Sequence, residues 1–400
     1  MEEQGVVDMT EGLIIRRRSN IAAAASAPLE LFATVPLGAE ELASKELSGL
    51  GAAEINAVRG GVSFSGSREL LYRALLRLRT VSRVLQKLSC FYAKTPQELY
   101  DGVREIKWNE LLTPDMTIAV DCTLRDSAIT HSHFAALKTK DAIVDSIRDI
   151  CGSRPPVDTR SPDLRVNLHI SKNQATVSLD ASGEPLDRRG WRRDRNAAPL
   201  RETLAAAIML HTAWDGTVPL IDPMCGSGTL LLEGVSIAMG RPACSGRDFG
   251  VMKWKDFDTQ LWARIHKDEI SRAAGTLDSP VMGFDSDPKA VVASRENARR
   301  AGLEYNVSFD RRDFEYTEPS GHQGVLVINP PYGIRMGTRT DLEAVYRKIG
   351  EVLKRRFTGW TAYMLAGDLE LTKFVGLKPS RRFVLFNGPL ECRLLKYELY

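Results

Sequence analysis

The segment Asn329-Pro330-Pro331-Tyr332 places an amide, a restricted backbone and an aromatic ring side by side. It follows the apolar run Val325–Ile328, which is typical of a buried parallel strand. Two prolines cannot continue a central strand, because proline lacks the backbone N–H and its ring fixes φ. We therefore expect a rigid elbow at the carboxyl end of a strand, where α/β sheets bind ligands. The alternative is an ordinary proline-rich loop.

A second candidate site lies between a predicted strand and a predicted helix. Gly226 and Gly228 permit a tight turn there and a close approach of the backbone to a ligand. The turn lacks the third glycine of a dinucleotide motif and the Gly-Lys-Ser/Thr ending of a phosphate loop. S-adenosylmethionine (SAM) fits, because its carboxylate would be stabilised at the helix N-terminus. The cofactor residues predicted in this turn are Asp222, Pro223, Cys225, Gly226, Ser227, Gly228 and Thr229.

Further candidate cofactor residues follow the next two predicted strands. Asp285 ends the strand 281–285 and could accept hydrogen bonds from both ribose hydroxyls. Asp313 follows a strand near 307–309 and could accept a hydrogen bond from the adenine amine, with Phe314 covering the ring. Asp287 is expected to cap the next helix. Because each acid follows a successive strand, we expect one cofactor site, which Asn329 adjoins.

The elements around these residues predict two architectures in one α/β chain. Residues 200–400 alternate between strands and helices, which indicates a mostly parallel, Rossmann-like sheet that ends in an antiparallel pair. Residues 29–180 mix short strands and helices, which indicates one compact α+β module or two intertwined ones. We divide the chain into a disordered tail at 1–28, an α+β region at 29–195 and a sheet domain at 196–400.

Composition limits the class of protein. The chain is 43% hydrophobic and 26% charged with a net charge of +3, so a basic surface must be local. No apolar run approaches the roughly 18 residues of a membrane span. The six cysteines lack CxxC spacing, which favours a reducing compartment and no metal site. Early acidic residues argue against a transit peptide, so we expect a cytoplasmic protein and leave a weak organelle address open.

One basic stretch separates the two predicted regions. Six arginines fall between Arg188 and Arg201, and both arginine and tryptophan can stack on unpaired bases. The alternative is a charged interdomain linker. The predicted RNA contacts are Arg188, Arg189, Trp191, Arg192 and Arg193, together with Lys138 and Lys140 on a predicted helix at 133–150. A predicted amphipathic helix at 69–85 carries arginines that we interpret as a solvated face, at positions 73, 77, 79 and 83.

The motifs at 222–229, 283–287 and 329–332 resemble, in this order, class I SAM-dependent methyltransferases that modify exocyclic amines. Upstream, residues 130–145, 188–190 and 199–207 resemble THUMP-domain methyltransferases of the large-subunit (23S-type) ribosomal RNA guanine-N2 branch. The resemblance covers about residues 29–400 and implies a ferredoxin-like part and a THUMP RNA-binding domain at 29–195. The chain differs at Ile334, where the branch often has glutamate.

The resemblance implies methyl transfer to a guanine N2 amine of large-subunit rRNA, or of its precursor particle. Hydrogen bonds from the amine to the Asn329 side chain and the Pro330 carbonyl would turn the nitrogen lone pair toward the methyl group. Tyr332 would stack on an extruded base, and no histidine base is required. Cys225 as a nucleophile for carbon-5 methylation is the weaker alternative, because it lies in the cofactor turn.

Other functions and assemblies stay open at this point. A tRNA guanine-N2 methyltransferase is the nearest alternative, since THUMP domains also serve tRNA. DNA adenine-N6 methylation uses the same Asn-Pro-Pro-Tyr arrangement, but the THUMP-like half argues against it. A non-catalytic RNA-binding or ribosome-assembly factor is an alternative from another class. We expect RNA as the partner, no membrane, and a monomer or homodimer.

Overall fold

The computed structural model of the protein describes residues 27–192, 200–331 and 338–400. Their strands form two seven-stranded sheets. The strands are β1 (Leu29–Thr34), β2 (Ala53–Val58), β3 (Gly61–Gly66), β4 (Arg83–Tyr92), β5 (Ile118–Arg125), β6 (Leu164–Ser171), β7 (Gln174–Asp180), β8 (Leu220–Asp222), β9 (Val281–Asp285), β10 (Ser308–Arg311), β11 (Val325–Ile328), β12 (Thr361–Ala366), β13 (Arg381–Asn387) and β14 (Leu390–Glu398). The α-helices are α1 (Glu40–Gly49), α2 (Arg68–Arg77), α3 (Pro96–Arg104), α4 (Trp108–Leu111), α5 (Ser132–Cys151), α6 (Glu202–Thr212), α7 (Thr229–Ala238), α8 (Thr259–Ser271), α9 (Pro288–Ala301) and α10 (Arg339–Arg356). Short 3₁₀ helices occupy Gly250–Lys253, Phe314–Tyr316 and Leu371–Val375.

The first sheet joins the whole N-terminal region, in the order β2-β3-β1-β4-β7-β6-β5. The long strand β4 links its halves, because it pairs antiparallel with β1 on one side and with β7 on the other. The helix predicted at 69–85 is therefore too long. It ends at Arg77, and residues 83–85 already belong to β4, where two hydrogen-bonded neighbours outweigh the helical spacing of the leucines.

The second sheet has the order β10-β9-β8-β11-β12-β14-β13. The strands from β10 to β12 are parallel, and β14 runs antiparallel to both β12 and β13. This arrangement confirms the predicted Rossmann-like sheet with an antiparallel end. Strand β11 lies inside the sheet between β8 and β12, which agrees with its continuous apolar sequence.

The insertion between α7 and β9 packs against the N-terminal region through helix α8. Glu269 of α8 is 1% exposed and forms ion pairs with Arg73 and Arg77 of α2. The hydroxyl of Tyr72 accepts a hydrogen bond of 3.0 Å from the Asp258 N–H at the start of α8. Two separate parts of the sequence are thus joined by buried polar contacts.

Helix α7 is also attached to other parts of the chain by buried ion pairs, through the Glu233 carboxylate, which is 3% exposed. Arg189 donates to it from Nε at 3.0 Å, and Arg79 lies 3.4 Å away. Arg79 also donates to the Ser236 carbonyl near the end of α7, at 3.0 Å. The N-terminal region, the linker and the methyltransferase-like sheet therefore meet at one buried carboxylate.

These contacts correct the interpretation of the four arginines of the predicted 69–85 helix as a solvated face. Each of the four arginines forms an ion pair with a carboxylate that is at most 3% exposed, because the face they occupy is covered by the rest of the chain. The pairs are Arg73 and Arg77 with Glu269, Arg79 with Glu233, and Arg83 with Asp180.

The structure also bears on membrane-spanning helices and on the pairing of cysteines. Among the described residues, no helix is both long and apolar enough to cross a bilayer. The six cysteines are all unpaired thiols.

The Glu233 contacts make a stability prediction. Glu233→Ala should lower the free energy of unfolding by about 3–5 kcal/mol, because it leaves buried guanidinium groups without their counter-charge. Denaturant unfolding followed by circular dichroism measures the change. Glu296→Ala is the control, since it removes an exposed ion pair of 2.6 Å with Arg300 and should cost less than about 1 kcal/mol. Equal costs for the two variants would contradict the role of Glu233.

Candidate active site

Four predicted site residues follow four neighbouring strands at one edge of the second sheet. Strands β10, β9, β8 and β11 are parallel and adjacent, so their carboxyl ends share this edge. Asp222 lies level with Gly283, and Asp285 lies level with Arg311. Since neighbouring strands are about 4.8 Å apart, these residues form a row about 14 Å long. Asn329 lies at the β11 end of the row and Asp313 at the β10 end.

The turn between β8 and α7 has the backbone that its glycines predict. Gly226 and Gly228 have φ values of +52° and +82°. A Cβ at Gly228 would lie 2.7 Å from the Phe309 ring, whereas one at Gly226 would meet nothing within 4 Å. Gly228 is therefore required by packing, and Gly226 faces open space where a ligand can approach the backbone.

Asp285 ties this turn to the next strand. Its Oδ2 accepts a hydrogen bond of 2.9 Å from the Gly226 N–H, and its Oδ1 accepts one of 3.0 Å from the Asp287 N–H. Asp287 caps helix α9 through the Lys289 N–H, as predicted. Each oxygen of Asp285 keeps a second lone pair, so the role of this carboxylate toward ribose hydroxyls stays a prediction.

Asp222 is a buried acid beneath the turn, with 1% of its surface exposed. Burial is the main reason that the pKa of its carboxyl rises to about 8, and the nearby charge of Asp285 raises the pKa as well. A hydrogen bond from the Met224 N–H acts in the opposite direction. The side chain is therefore mostly protonated at neutral pH without a cationic ligand. A cation bound at this edge would shift it to the ionised form.

Cys225 lies in the same turn and is 7% exposed. Burial raises the pKa of its thiol far above the usual range, and the charges of Asp222 and Asp285 act in the same direction. A thiolate nucleophile is disfavoured there, because the reactive form of cysteine is the anion. The position suits a small neighbour of the cofactor.

The two residues predicted to contact adenine, Asp313 and Phe314, differ in their exposure. Asp313 is exposed and caps the following 3₁₀ helix, with Oδ1 accepting from the Glu315 N–H at 2.9 Å. Phe314 is 5% exposed and packs in the core with Ile221 and Phe284. Its predicted role as a cover for the adenine ring stays a prediction.

The elbow after β11 holds an unsatisfied acceptor. Asn329 Oδ1 is buried and accepts no hydrogen bond from any residue in the described parts of the chain. Pro330 is buried and Pro331 is half-buried. The predictions for Tyr332 and Ile334 lie outside the described residues. A buried amide oxygen without a donor costs free energy, so the site is prepared for an N–H donor from a ligand.

The arginine stretch divides into residues with different positions. Arg188 is exposed and pairs with Glu184, whereas Arg189 is enclosed with Glu233, with only 1% of its side chain exposed. Arg192 reaches the cofactor turn, where it donates to Thr229 Oγ1, and its side chain is 11% exposed. The predicted RNA contact of Arg189 is therefore corrected, because protein atoms enclose its guanidinium group. The RNA contact of Arg192 stays a prediction, although its guanidinium group lies against the turn at 222–229.

The other predicted RNA contacts keep accessible surface. Trp191 is partly buried, and the Arg192 guanidinium lies 5.2 Å from its ring centroid. Lys138 is half-buried with Nζ 4.5 Å from the Tyr100 ring centroid, and Lys140 pairs with Asp141 at 2.6 Å. Arg193 lies outside the described residues. These four residues stay predictions.

Three buried polar residues support the site and were missed from the sequence. Asn297 of α9 is 4% exposed and donates to the Ser227 carbonyl at 3.1 Å. Glu202 lies 3.5 Å from Arg192, and Glu233 binds Arg189. The sequence does carry a signal for Glu233, since a lone carboxylate in the apolar helix Leu-Leu-Leu-Glu-Gly-Val requires a buried partner.

Profiles of three domain families match the sequence. The profile described as "RMKL-like, methyltransferase domain" matches residues 189–396, just over half of the 400 residues. The THUMP domain profile matches residues 93–180, and that of the "RlmL ferredoxin-like domain" matches residues 30–85. The ferredoxin-like profile ends within β4, and the THUMP profile begins just after it. The strand β4 thus lies at the boundary between the two domains and joins the two halves of the first sheet.

Curated relatives match along most of the chain. The "Ribosomal RNA large subunit methyltransferase K/L" of Methylococcus capsulatus is 42% identical over 377 residues, which cover 92% of this chain and 51% of that protein. The "Putative RNA methyltransferase slr0064" of Synechocystis sp. is 42% identical over 370 residues, which cover 92% of this chain and 96% of that protein. The chain thus spans about half the length of the first relative.

Solved structures have the same fold. SMU.472, described as a putative methyltransferase complexed with SAH, has a TM-score of 0.85 and 29% identity over 93% of this chain and 98% of that chain. A "predicted N6-adenine-specific DNA methylase" from Listeria monocytogenes has a TM-score of 0.85 and 28% identity over 93% of this chain and 97% of that chain. These similarities extend across both sheets.

The raised pKa of Asp222 makes a prediction about the cofactor. SAM brings positive charge to this edge and should ionise Asp222, so its binding should release a proton and tighten as pH rises from 6 toward 8. Calorimetry in two buffers of different ionisation enthalpy measures the protons released. Asp222→Asn, which cannot titrate, should lose that part of the release. The same proton release from wild type and variant would contradict this assignment.

Proposed function

Because the chain belongs to the RMKL-like methyltransferase family that carries a THUMP domain, we propose that it transfers a methyl group from SAM to the exocyclic N2 amine of a guanine in large-subunit ribosomal RNA. The RNA substrate is supported by the THUMP profile and by relatives named as large-subunit rRNA methyltransferases. The guanine N2 target rests on the resemblance of the 329–332 segment to that branch of the family.

The observation that carries the proposal is the buried Oδ1 of Asn329, which has no hydrogen-bond donor among the described residues and lies just after β11, the strand next to that of the turn at 222–229. A guanine N2 amine is a poor nucleophile, because its lone pair is delocalised into the ring. An amine N–H donated to Asn329 Oδ1, and a second to the Pro330 carbonyl, would hold the nitrogen with its lone pair directed outward. The same acceptors would stabilise the positive charge that develops on that nitrogen.

SAM, when bound, supplies an electrophilic methyl group on a sulfonium. The residues that fit this cofactor are the open backbone at Gly226, the Asp285 carboxylate and the buried acid Asp222. The thiol of Cys225 takes no part as a nucleophile in this scheme, since burial keeps it protonated. The chemistry is therefore positioning of an amine, which would accept the methyl group as the methyl–sulfonium bond breaks and would then lose one of its protons to water.

Replacement of Asn329 should affect the rate of methyl transfer and leave the affinity for SAM unchanged. Asn329→Ala should lower the turnover number about 100- to 1,000-fold, because one acceptor for the developing charge is lost, while the dissociation constant of SAM stays within about twofold of wild type. Methyl transfer to RNA and calorimetry with SAM measure the two effects. Asp285→Ala is the converse control and should weaken SAM binding first. A tenfold loss of SAM affinity in Asn329→Ala would contradict the proposed division.

The target nucleoside can be identified in cells. Deletion of the gene should remove one N2-methylguanosine from large-subunit rRNA, and mass spectrometry of purified rRNA and tRNA nucleosides detects the loss. The same loss in tRNA alone would establish the tRNA alternative. No change in any methylated nucleoside, together with altered ribosome assembly, would support the non-catalytic alternative.

The predicted RNA contacts of helix α5 make an electrostatic prediction. Replacing both Lys138 and Lys140 by glutamine should weaken binding to protein-free large-subunit rRNA. The slope of log affinity against log salt should fall by about 1.4, at about 0.7 for each single-strand phosphate contact. Filter binding over a salt series measures the slope. Lys373→Gln with Lys396→Gln is the control pair from exposed ion pairs elsewhere, and it should leave the slope unchanged. An unchanged slope in the α5 variant would remove these lysines from the RNA surface.

A further inference from the structure

We propose that Arg192 is a cofactor-binding residue that holds the carboxylate at the amino-acid end of SAM. The inference rests on the proposed SAM-dependent function and adds a residue that the glycine turn and the acidic residues do not identify. It also gives Arg192 a role that differs from the RNA contact predicted by its sequence neighbourhood.

The guanidinium of Arg192 lies where two helices begin. Nη2 donates to Thr229 Oγ1 at the first residue of α7, and Nη1 donates to the Leu200 carbonyl just before α6, at 3.3 Å. Thr229 Oγ1 is in turn 3.3 Å from Ser227 Oγ within the cofactor turn. One cation and two hydroxyls therefore converge in the turn where Gly226 faces open space. The N-termini of α6 and α7 add further positive potential.

The protein places one carboxylate at ion-pair distance from this cation, and the charges of Glu233 and Asp187 act on it from further away. Among the residues that the structure describes, the only carboxylate paired with Arg192 is Glu202, whose Oε1 is 3.5 Å from Nε. Nε itself is buried and makes no hydrogen bond within the described parts of the chain. Burial raises the pKa of Glu202 to about 7, although the charge of Arg192 opposes this, so Glu202 is only partly ionised at neutral pH. A buried N–H donor beside a partly neutral partner is not fully satisfied by the protein, so a second anion at this position would be stabilised.

The carboxylate of the cofactor is the anion that this position suits. Asp285 and Asp313 occupy the β9 and β10 side of the edge, where acceptors for an adenosine are expected. The amino-acid end then faces the start of α7, on the side where Arg192 lies. A guanidinium binds a carboxylate through two parallel N–H groups, so it fixes orientation as well as charge. Correct orientation of this end determines where the methyl group is presented.

Two ligands that differ only in the amino-acid end can distinguish carboxylate binding by Arg192 from a purely structural role. S-adenosylhomocysteine contains the amino-acid carboxylate, whereas 5′-methylthioadenosine has the adenosine and thioether without the amino-acid end. Arg192→Gln should weaken binding of S-adenosylhomocysteine about 10- to 100-fold, the range of charge-assisted hydrogen bonds, and should change binding of methylthioadenosine less than about threefold. Calorimetry with the purified full-length protein measures both affinities. Arg300→Gln is the matched control, since it removes an arginine from an ion pair on α9 and should change neither.

Two further variants keep the test decisive if Arg192→Gln is unstable. Arg192→Lys keeps the positive charge but loses the planar fork, so it should give a smaller loss, again only for S-adenosylhomocysteine. Glu202→Gln removes the competing carboxylate and should leave the affinity for S-adenosylhomocysteine unchanged or higher. Equal losses for both ligands in the Arg192 variants, or a tenfold loss in Glu202→Gln, would overturn the inference. Wild-type protein that binds neither SAM nor S-adenosylhomocysteine would instead remove the proposed function.

Discussion

The buried ion pairs of Glu233 hold the helix that carries the cofactor turn against the rest of the molecule. Helix α7 begins at the turn, and Glu233 lies one helical turn further along it. Its two partners come from different places, Arg79 from the end of the ferredoxin-like part and Arg189 from the linker. A charge pair of this kind adds little net stability, but separating it leaves charges buried without partners. The two sheets are thereby restricted to one relative arrangement.

The candidate active site is held together differently, by the parallel arrangement of four neighbouring strands. Asp222, Asp285, Asp313 and Asn329 are far apart in sequence, and they become neighbours only because β8 to β11 end at the same edge. Burial then changes the properties of the side chains nearest β8 and β11. Burial favours the protonated form of Asp222 and keeps the Cys225 thiol neutral, and the Asn329 side-chain oxygen has no donor among the described residues. An electron-rich acceptor is thus available for an amine, and a thiolate is not.

Much of this edge could be predicted from the sequence, because local signals define it. Strand–turn–helix boundaries, positive-φ glycines and the prolines after β11 are properties of short segments. The environment of the arginines could not be predicted in this way. An amphipathic helix with arginines on one side has the same sequence pattern whether water or another domain covers that side, and here Glu269 and Glu233 cover it. The length of α2 was misjudged for a related reason, since the long-range pairing of β4 with β1 and β7 decides where the helix ends.

The linker shows why composition is a poor guide to the role of individual charges. Arg188, Arg189 and Arg192 look equivalent in sequence, yet one is exposed, one is enclosed with Glu233 and one reaches the cofactor turn. The position of the linker explains the difference, because a chain that passes between two domains exposes one side and buries the other. Under the proposed function, RNA bound by the first sheet would be held at a set distance from Asn329, because buried charges fix the junction between the two sheets. The target base would then have to leave its stack to reach the elbow after β11.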